Sequence, residues 1–347
     1  MKQMTDAKFD ILKLFLALLI VFGHTEPEGV IQIVLHPWIK IAVPLFFIMT
    51  GYFLFRKAAS APTQADRSHV IRGFVLRTVK LYCFWFVLLI PFSLYQNRSM
   101  EFENGTMGFV EHALKRLFFG STYTASWYMT ACIFGVLIVT ALSKKLSNRT
   151  LLVITVPVFL FVTGWTCYLP FLQEGSRLQQ FYALYYRVLS NPHHSFPAAL
   201  VWLVVGKCFA EQTFDFRSRL YPALAVLSGI LLYIEWRFVG QHTALYNGES
   251  YFLLLPFCTS LFALFLRIPP IRIRGTQYIR RCSTYVYVMH GTLLAPVSRL
   301  VHETFRLRHS VFAFLFNTAV CIAVYALAQG IVNRRKGRLS TLLTYSY

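Results

Sequence analysis

Residues 9–25 read FDILKLFLALLIVFGHT. Asp10 and Lys13 precede an apolar run that closes on His24, with Thr25 and Glu26 directly after it. A membrane helix needs about 20 mostly apolar residues to cross about 30 Å, and this run comes close. It reads as a buried structural helix, a membrane anchor or the first wall of an active site. The choice turns on whether the rest of the chain repeats it, and on where its few polar residues sit.

The pattern recurs. Apolar stretches fall at about 9–25, 38–55, 76–95, 126–143, 150–168, 197–211, 220–237, 249–266, 283–301 and 310–332. The chain has 347 residues, of which 14% are charged, against roughly 25% in a soluble domain. The expectation is an all-α integral membrane protein: one domain over residues 1–347, built as a single bundle of about ten transmembrane helices. No cleavable signal pattern is read at the start, so the first helix is expected to be retained.

Charge points the same way. The 34 Lys and Arg outnumber the 14 Asp and Glu, giving a formal +20. The excess lies in short clusters between apolar runs, as anionic lipid and the positive-inside rule favour. A nucleic-acid protein would gather it on one soluble face, so nucleic acid is excluded as a partner. With ten spans, 24 of the 34 basic residues fall on one side. That places both termini there, and the side reads as cytoplasmic. The seven Cys include no close CxxC pair, so neither a disulfide scaffold nor a metal site is expected.

Several polar residues stand out. His24 is either an interfacial histidine at a helix end or a general base facing a wet cavity, since imidazole exchanges protons near neutrality. Asp10 is no simple partner for it: fourteen residues of straight helix span about 21 Å. Glu26 or a residue of another helix fits better. Asp10 and Lys13 share a face near the other end, as an ion pair or against a charged ligand. Arg77 and Lys80 lie one turn apart, either snorkelling to headgroups or clamping the phosphates of a nucleotide-bearing thioester. No glycine-rich phosphate loop accompanies them. Trp127 and Tyr128 anchor an interface or face an acceptor. Ser283, Tyr287 and His290 share one helical face, with His290 at a depth where lipid exposure is costly. In the 169–196 stretch, Arg187, His193 and His194 decorate the surface or meet a sugar.

Taken together these pieces resemble the integral-membrane acyltransferase 3 family. Asp10, Leu12, Lys13 and His24 match the family's first-helix pattern, with Lys13 where Arg is usual. PLFFIMTGYFLF matches its second helix at Pro44, Phe46, Phe47, Gly51 and Tyr52, with Thr50 replacing Ser. Arg77 and Lys80 stand for its Arg-x-x-Arg, Ser126-Trp127-Tyr128 approximates Leu-Trp-Tyr, and Ser283, Tyr287 and His290 match Ser-x-x-x-Tyr-x-x-His. The resemblance implies a membrane O-acyltransferase in the bacterial cytoplasmic (inner) membrane. By that resemblance His24 is catalytic with Asp10 and Lys13, and Arg77 and Lys80 hold an acetyl-CoA or other acyl-CoA co-substrate. No cofactor is permanently bound. The acceptor is a cell-envelope saccharide or a small hydroxylated molecule, and membrane lipids surround the chain. Glu26, Trp127, Tyr128, Ser283, Tyr287 and His290 serve substrate or architecture.

The segments FPAALVWLVVGKCFAE and ESYFLLLPFCTSLFAL also resemble the membrane half of the vancomycin-resistance serine racemases. That likeness keeps a second reading open, a small-molecule or serine-like carrier or a non-catalytic membrane partner. No racemase domain is expected after the last apolar run. An enzyme predicts His24 and the Arg77/Lys80 pair opening into one continuous cavity. A carrier predicts a central pocket gated on both sides. Oligomeric state is unreadable from composition.

Overall fold

The first helix is fixed at its start by a short backbone clamp. In the computed structural model, which describes residues 5–25, 29–97, 105–122, 126–242, 249–305, 310–334 and 337–347, β1 (Thr5–Asp6) pairs antiparallel with β2 (Arg272–Ile273). Thr5 lies opposite Ile273, and Ala7 N–H donates to Ile271 O at 2.6 Å. The Lys8 ammonium donates to Ile268 O at 2.7 Å. From this clamp α1 (Lys8–His24) runs to His24.

Helices dominate the rest of the chain: α2 (Gly29–Ile39), α3 (Ala42–Ala59), α4 (Gln64–Asn97), α5 (Gly105–Phe119), α6 (Trp127–Leu142) and α7 (Asn148–Thr163). A π-turn over Gly164–Tyr168 extends the last of these. Then come α8 (Arg177–Leu189), α9 (Pro197–Ala210), α10 (Leu220–His242), α11 (Leu254–Arg267), α12 (Thr276–Phe305), α13 (Ser310–Arg334) and α14 (Arg338–Leu343).

The ten-span bundle does not stand. Among the described residues, four helices are long and apolar enough to cross a membrane: Ile33–Ala59, Asn148–Phe171, Leu220–His242 and Val311–Arg334. Apolar run length overstates the others. Trp127–Leu142, Pro197–Ala210 and Leu254–Arg267 are apolar but short. A 14-residue helix rises only about 21 Å, well under the roughly 30 Å of hydrocarbon. The long α4 and α12 carry charged residues through one half, including Arg72, Arg77 and Lys80, and Arg280 and Arg281. With the count goes the strict alternation of sides that would place both termini on the basic face. The chain remains a multi-pass membrane protein. Val87, Val153, Leu220, Val226 and Leu327 are exposed on its outside, where lipid rather than water makes such exposure favourable.

Two cores organise the helices. One is built on α3 and α9, with Phe47, Ile48, Leu203 and Phe262 buried. The α9 helix is buried from Pro197 to Phe209, including Lys207, whose ammonium bonds Asn148 Oδ1 at 2.7 Å and the Glu211 carboxylate. Glycines let α3 and α9 touch backbone to backbone: a Cβ on Gly206 would fall on Ile48 O, and one on Gly51 on Leu203 O. The other core joins α1, α4, α12 and α13 through Val21, Trp85, Val286 and Cys321. Phe46, Tyr128 and Tyr287 pack against both cores, so they mark the seam.

Candidate active site

Two chambers open on either side of that seam. The first, about 470 Å³, is lined by His24, His36, Lys40, Trp127, His193, His194, Trp202 and Glu249. The second, about 920 Å³, carries six cationic side chains (Lys13, Arg56, Lys57, Arg77, Arg280 and Arg281) with Asp10, and reaches Tyr128, Ser283 and Tyr287. His24 and Arg77 thus line different chambers rather than one continuous cavity. The wall between them is a single aromatic layer. Phe47 and Trp127 face the first chamber, while their sequence neighbours Phe46 and Tyr128 face the second. The rings interlock, with Phe47 and Tyr128 centroids 4.5 Å apart and Tyr128 and Tyr287 5.5 Å apart. Thr50 Oγ1 and the Tyr128 hydroxyl lie 3.1 Å apart, which fixes the phenol within the layer.

His24, at the last turn of α1, faces His290 of α12 with ring centroids 5.1 Å apart. His290 is 1% exposed. Its Nδ1 lies 2.6 Å from Tyr287 O. A carbonyl only accepts, so the proton sits on Nδ1 and Nε2 is a bare acceptor. That Nε2 is buried and has no hydrogen-bond partner among the described residues. Asn317 Nδ2 donates to His290 O at 3.2 Å and fixes the backbone there. The neighbour of His24 is therefore a second histidine from another helix, which spacing along the chain could not reveal. Glu26, the other partner considered, lies outside the described residues.

The remaining sequence candidates separate by chamber. Asp10 and Lys13 share the wall of the second chamber, a helix length from His24, with the Lys13 ammonium 5.7 Å from the Phe53 ring centroid. Ser283 Oγ donates to Arg280 O at 2.7 Å and sets the α12 backbone beside that chamber. The Arg77/Lys80 pair is split: Arg77 lines the chamber, whereas Lys80 sits over the Tyr345 ring at 5.4 Å. Arg281 stacks on Tyr347 with its guanidinium carbon 3.9 Å from the ring centroid.

Several site residues carry no motif. Lys40 and His36 come from the α2–α3 corner, and Glu249 from the approach to α11. Glu235 on α10 pins that approach, accepting from Phe252 N at 2.7 Å and Leu253 N at 2.9 Å and from the Tyr168 hydroxyl. Ser250 Oγ is 3.0 Å from Thr163 Oγ1, and the Cys167 thiol donates to Ser250 O at 2.7 Å. Opposite, a 3₁₀ turn at Pro192–His194 brings both histidine rings against Trp127, at 5.7 and 5.3 Å. Burial pushes the His193 imidazole down to about 4, although the Glu249 carboxylate pulls the other way. Burial also pushes Glu249 up, but His193, His194 and Lys40 together hold it well below the usual carboxylate range.

The chain thus holds one chamber lined by histidines and one lined by cationic side chains, with aromatic rings between them. The acyltransferase domain model of the acyltransferase 3 family matches residues 6–326. The chain belongs to that family. It is also similar, at 24% identity over 291 residues, to a serine/alanine racemase of Enterococcus gallinarum, covering 83% of this chain and 40% of that protein. It is 24% identical over 343 residues to an amino-acid racemase of Enterococcus faecalis, covering 94% of this chain and 45% of that one. The chain thus spans under half the length of these curated relatives. No solved structure matches it.

Proposed function

We propose that the chain is an O-acyltransferase of the bacterial cytoplasmic membrane that moves an acetyl or other acyl group from a coenzyme A thioester to a hydroxyl. The acceptor is a cell-envelope saccharide or a small hydroxylated molecule. The family match carries this reading; His24 and the cationic cluster line two chambers on either side of aromatic side chains, not the one continuous cavity expected of an enzyme. A coenzyme bears several phosphate charges, and the cluster around Arg77 supplies matching charge with directional forks. The smaller chamber, with Trp127 and Trp202 beside polar side chains, suits a hydroxylated acceptor.

The chemistry balances without a further reactant. His24 takes the hydroxyl proton as the acceptor oxygen attacks the thioester carbonyl. The C–S bond then breaks, the ester forms, and the proton passes to the departing thiolate. An acyl-histidine relay is the other route open to the same residue. Either route needs the thioester carbonyl to pass the Phe46, Phe47 and Tyr128 layer. In this reading His290, 5.1 Å ring to ring from His24, steadies an imidazolium there. In this proposal residues 1–347 act as one acyltransferase domain.

The test uses the purified chain in nanodiscs with labelled acetyl-CoA, followed for label transfer to saccharides, glycerol and amino acids. Coenzyme turnover without an acceptor product identifies the wrong panel, whereas absent coenzyme binding removes the proposal. The two basic residues make a sharper prediction. Arg77→Ala is expected to raise the KM for acyl-CoA about ten- to hundredfold, the scale of one charge-assisted bond, with kcat kept. Lys80→Ala, whose ammonium is engaged with Tyr345, is expected to change it less than threefold, about the worth of one exposed ionic contact.

A second reading, a carrier for a serine-like amino acid, draws on the racemase names of the relatives and on two chambers divided by a wall. Serine uptake into sealed vesicles without any acyl donor would favour it over acyl transfer.

A further inference from the structure

His193, His194 and Glu249 meet from two distant segments in the wall of the His24 chamber. Each offers one ligand atom, and the three atoms lie within 4.8 Å of one another. The two Nε2 atoms stand 3.7 and 3.5 Å from the same oxygen, Glu249 Oε2. Those separations are long for a hydrogen bond, which prefers about 2.7–3.2 Å. They match the gap between two ligands of one ion: donors about 2.0–2.2 Å from zinc at tetrahedral angles sit roughly 3.4 Å apart.

The cluster is held in place from both sides. Asn191 Oδ1 accepts from His193 N at 2.9 Å, and Ser195 Oγ donates to Asn191 O at 3.1 Å, so the turn presents adjacent histidines in one direction. Trp127 backs both rings. Glu235, Thr163 and Cys167 fix the backbone that carries Glu249.

We infer that His193, His194 and Glu249 form a divalent-cation site of the zinc type in the wall of the His24 chamber. Two imidazoles and one carboxylate are a common three-ligand set for zinc, and such sets leave a position open. Here that position faces the chamber, for water or for an oxygen of a bound acceptor. Lys40, His24 and His36 line the same space, and the Lys40 ammonium opposes a dication. The site is therefore weaker than a closed structural zinc site, and removing that charge strengthens it.

The test uses the full chain in detergent, stripped with chelator and titrated with CoCl₂, then with ZnCl₂. One Co²⁺ per chain is expected, with the visible absorption of a low-coordinate site and displacement by Zn²⁺. Glu249→Gln and His193→Ala are expected to weaken binding by more than about 100-fold, beyond the scale of losing a supporting partner alone. Glu249→Asp keeps the carboxylate and is expected to stay within about tenfold of the parent, which covers the case where Glu249→Gln fails to fold. Lys40→Met is expected to tighten binding, and the exposed His69→Ala to leave it unchanged. No stoichiometric Co²⁺ or Zn²⁺ below millimolar would overturn the site. So would an affinity indifferent to Glu249→Gln in a folded protein, or one weakened by Lys40→Met. Binding is read without turnover, so its failure leaves acyl transfer standing.

Discussion

Replacing His24 by alanine is expected to lower acyl-transfer kcat by about a hundred- to ten-thousandfold, the range for losing a positioned general base. The protein should still elute from size exclusion as the parent does. His24 ends its helix at the chamber and is not part of either buried core, so its removal leaves no core cavity. The accompanying test is His290→Gln. His290 is 1% exposed and 5.1 Å ring to ring from His24, and its role in the proposal is to position and steady, not to touch the acceptor. Its loss should therefore lower kcat by less than that of His24 and move the pH profile of kcat, with KM for acyl-CoA held. A His24→Ala protein that turns over at the parent rate would remove this residue from the chemistry.

The second large effect is on stability. Gly206→Ala is expected to cost about 3 kcal/mol or more, at the top of the range for overpacking, seen as a Tm lower by roughly 5–10 °C. An added Cβ would meet Ile48 O and stand 2.6 Å from Tyr52 N. Both are backbone atoms of α3, so no rotamer change relieves the clash and the two helices must part. Gly51→Ala, pressing on Leu203 O from the other helix, should behave alike. Small residues permit close helix contact in membranes for this reason. Gly73 gives the control: a Cβ there meets nothing within 4 Å. Gly73→Ala should be neutral or stabilise by up to about 1 kcal/mol through helix propensity. Equal losses at Gly73 and Gly206 would mean that the α3–α9 contact is not what the glycines serve.

Gly206 also marks how far sequence reading reaches. Gly51 is visible within PLFFIMTGYFLF as part of a pattern, but Gly206 sits in an apolar run with nothing to set it apart. Nothing local distinguishes a glycine that meets another backbone from one that meets lipid. The same limit explains the helix count. Apolar runs locate helices, yet their length as helices depends on where tertiary contacts and turns stop them. The short α9 is an example.

The sequence by itself determined the membrane environment, the helical class, the family and the identity of His24, His290 and Arg77 as residues to watch. Composition and short-range order suffice for these, because lipid imposes the same demand on every residue facing it. Tertiary structure decided the partners. It set His290 against His24, placed Arg77 behind the Phe47 and Tyr128 wall, released Lys80 to Tyr345, and drew Glu249 to two neighbouring histidines. Such pairings depend on how helices cross and on backbone fixed by distant groups such as Glu235, and that information is shared among segments far apart in the chain.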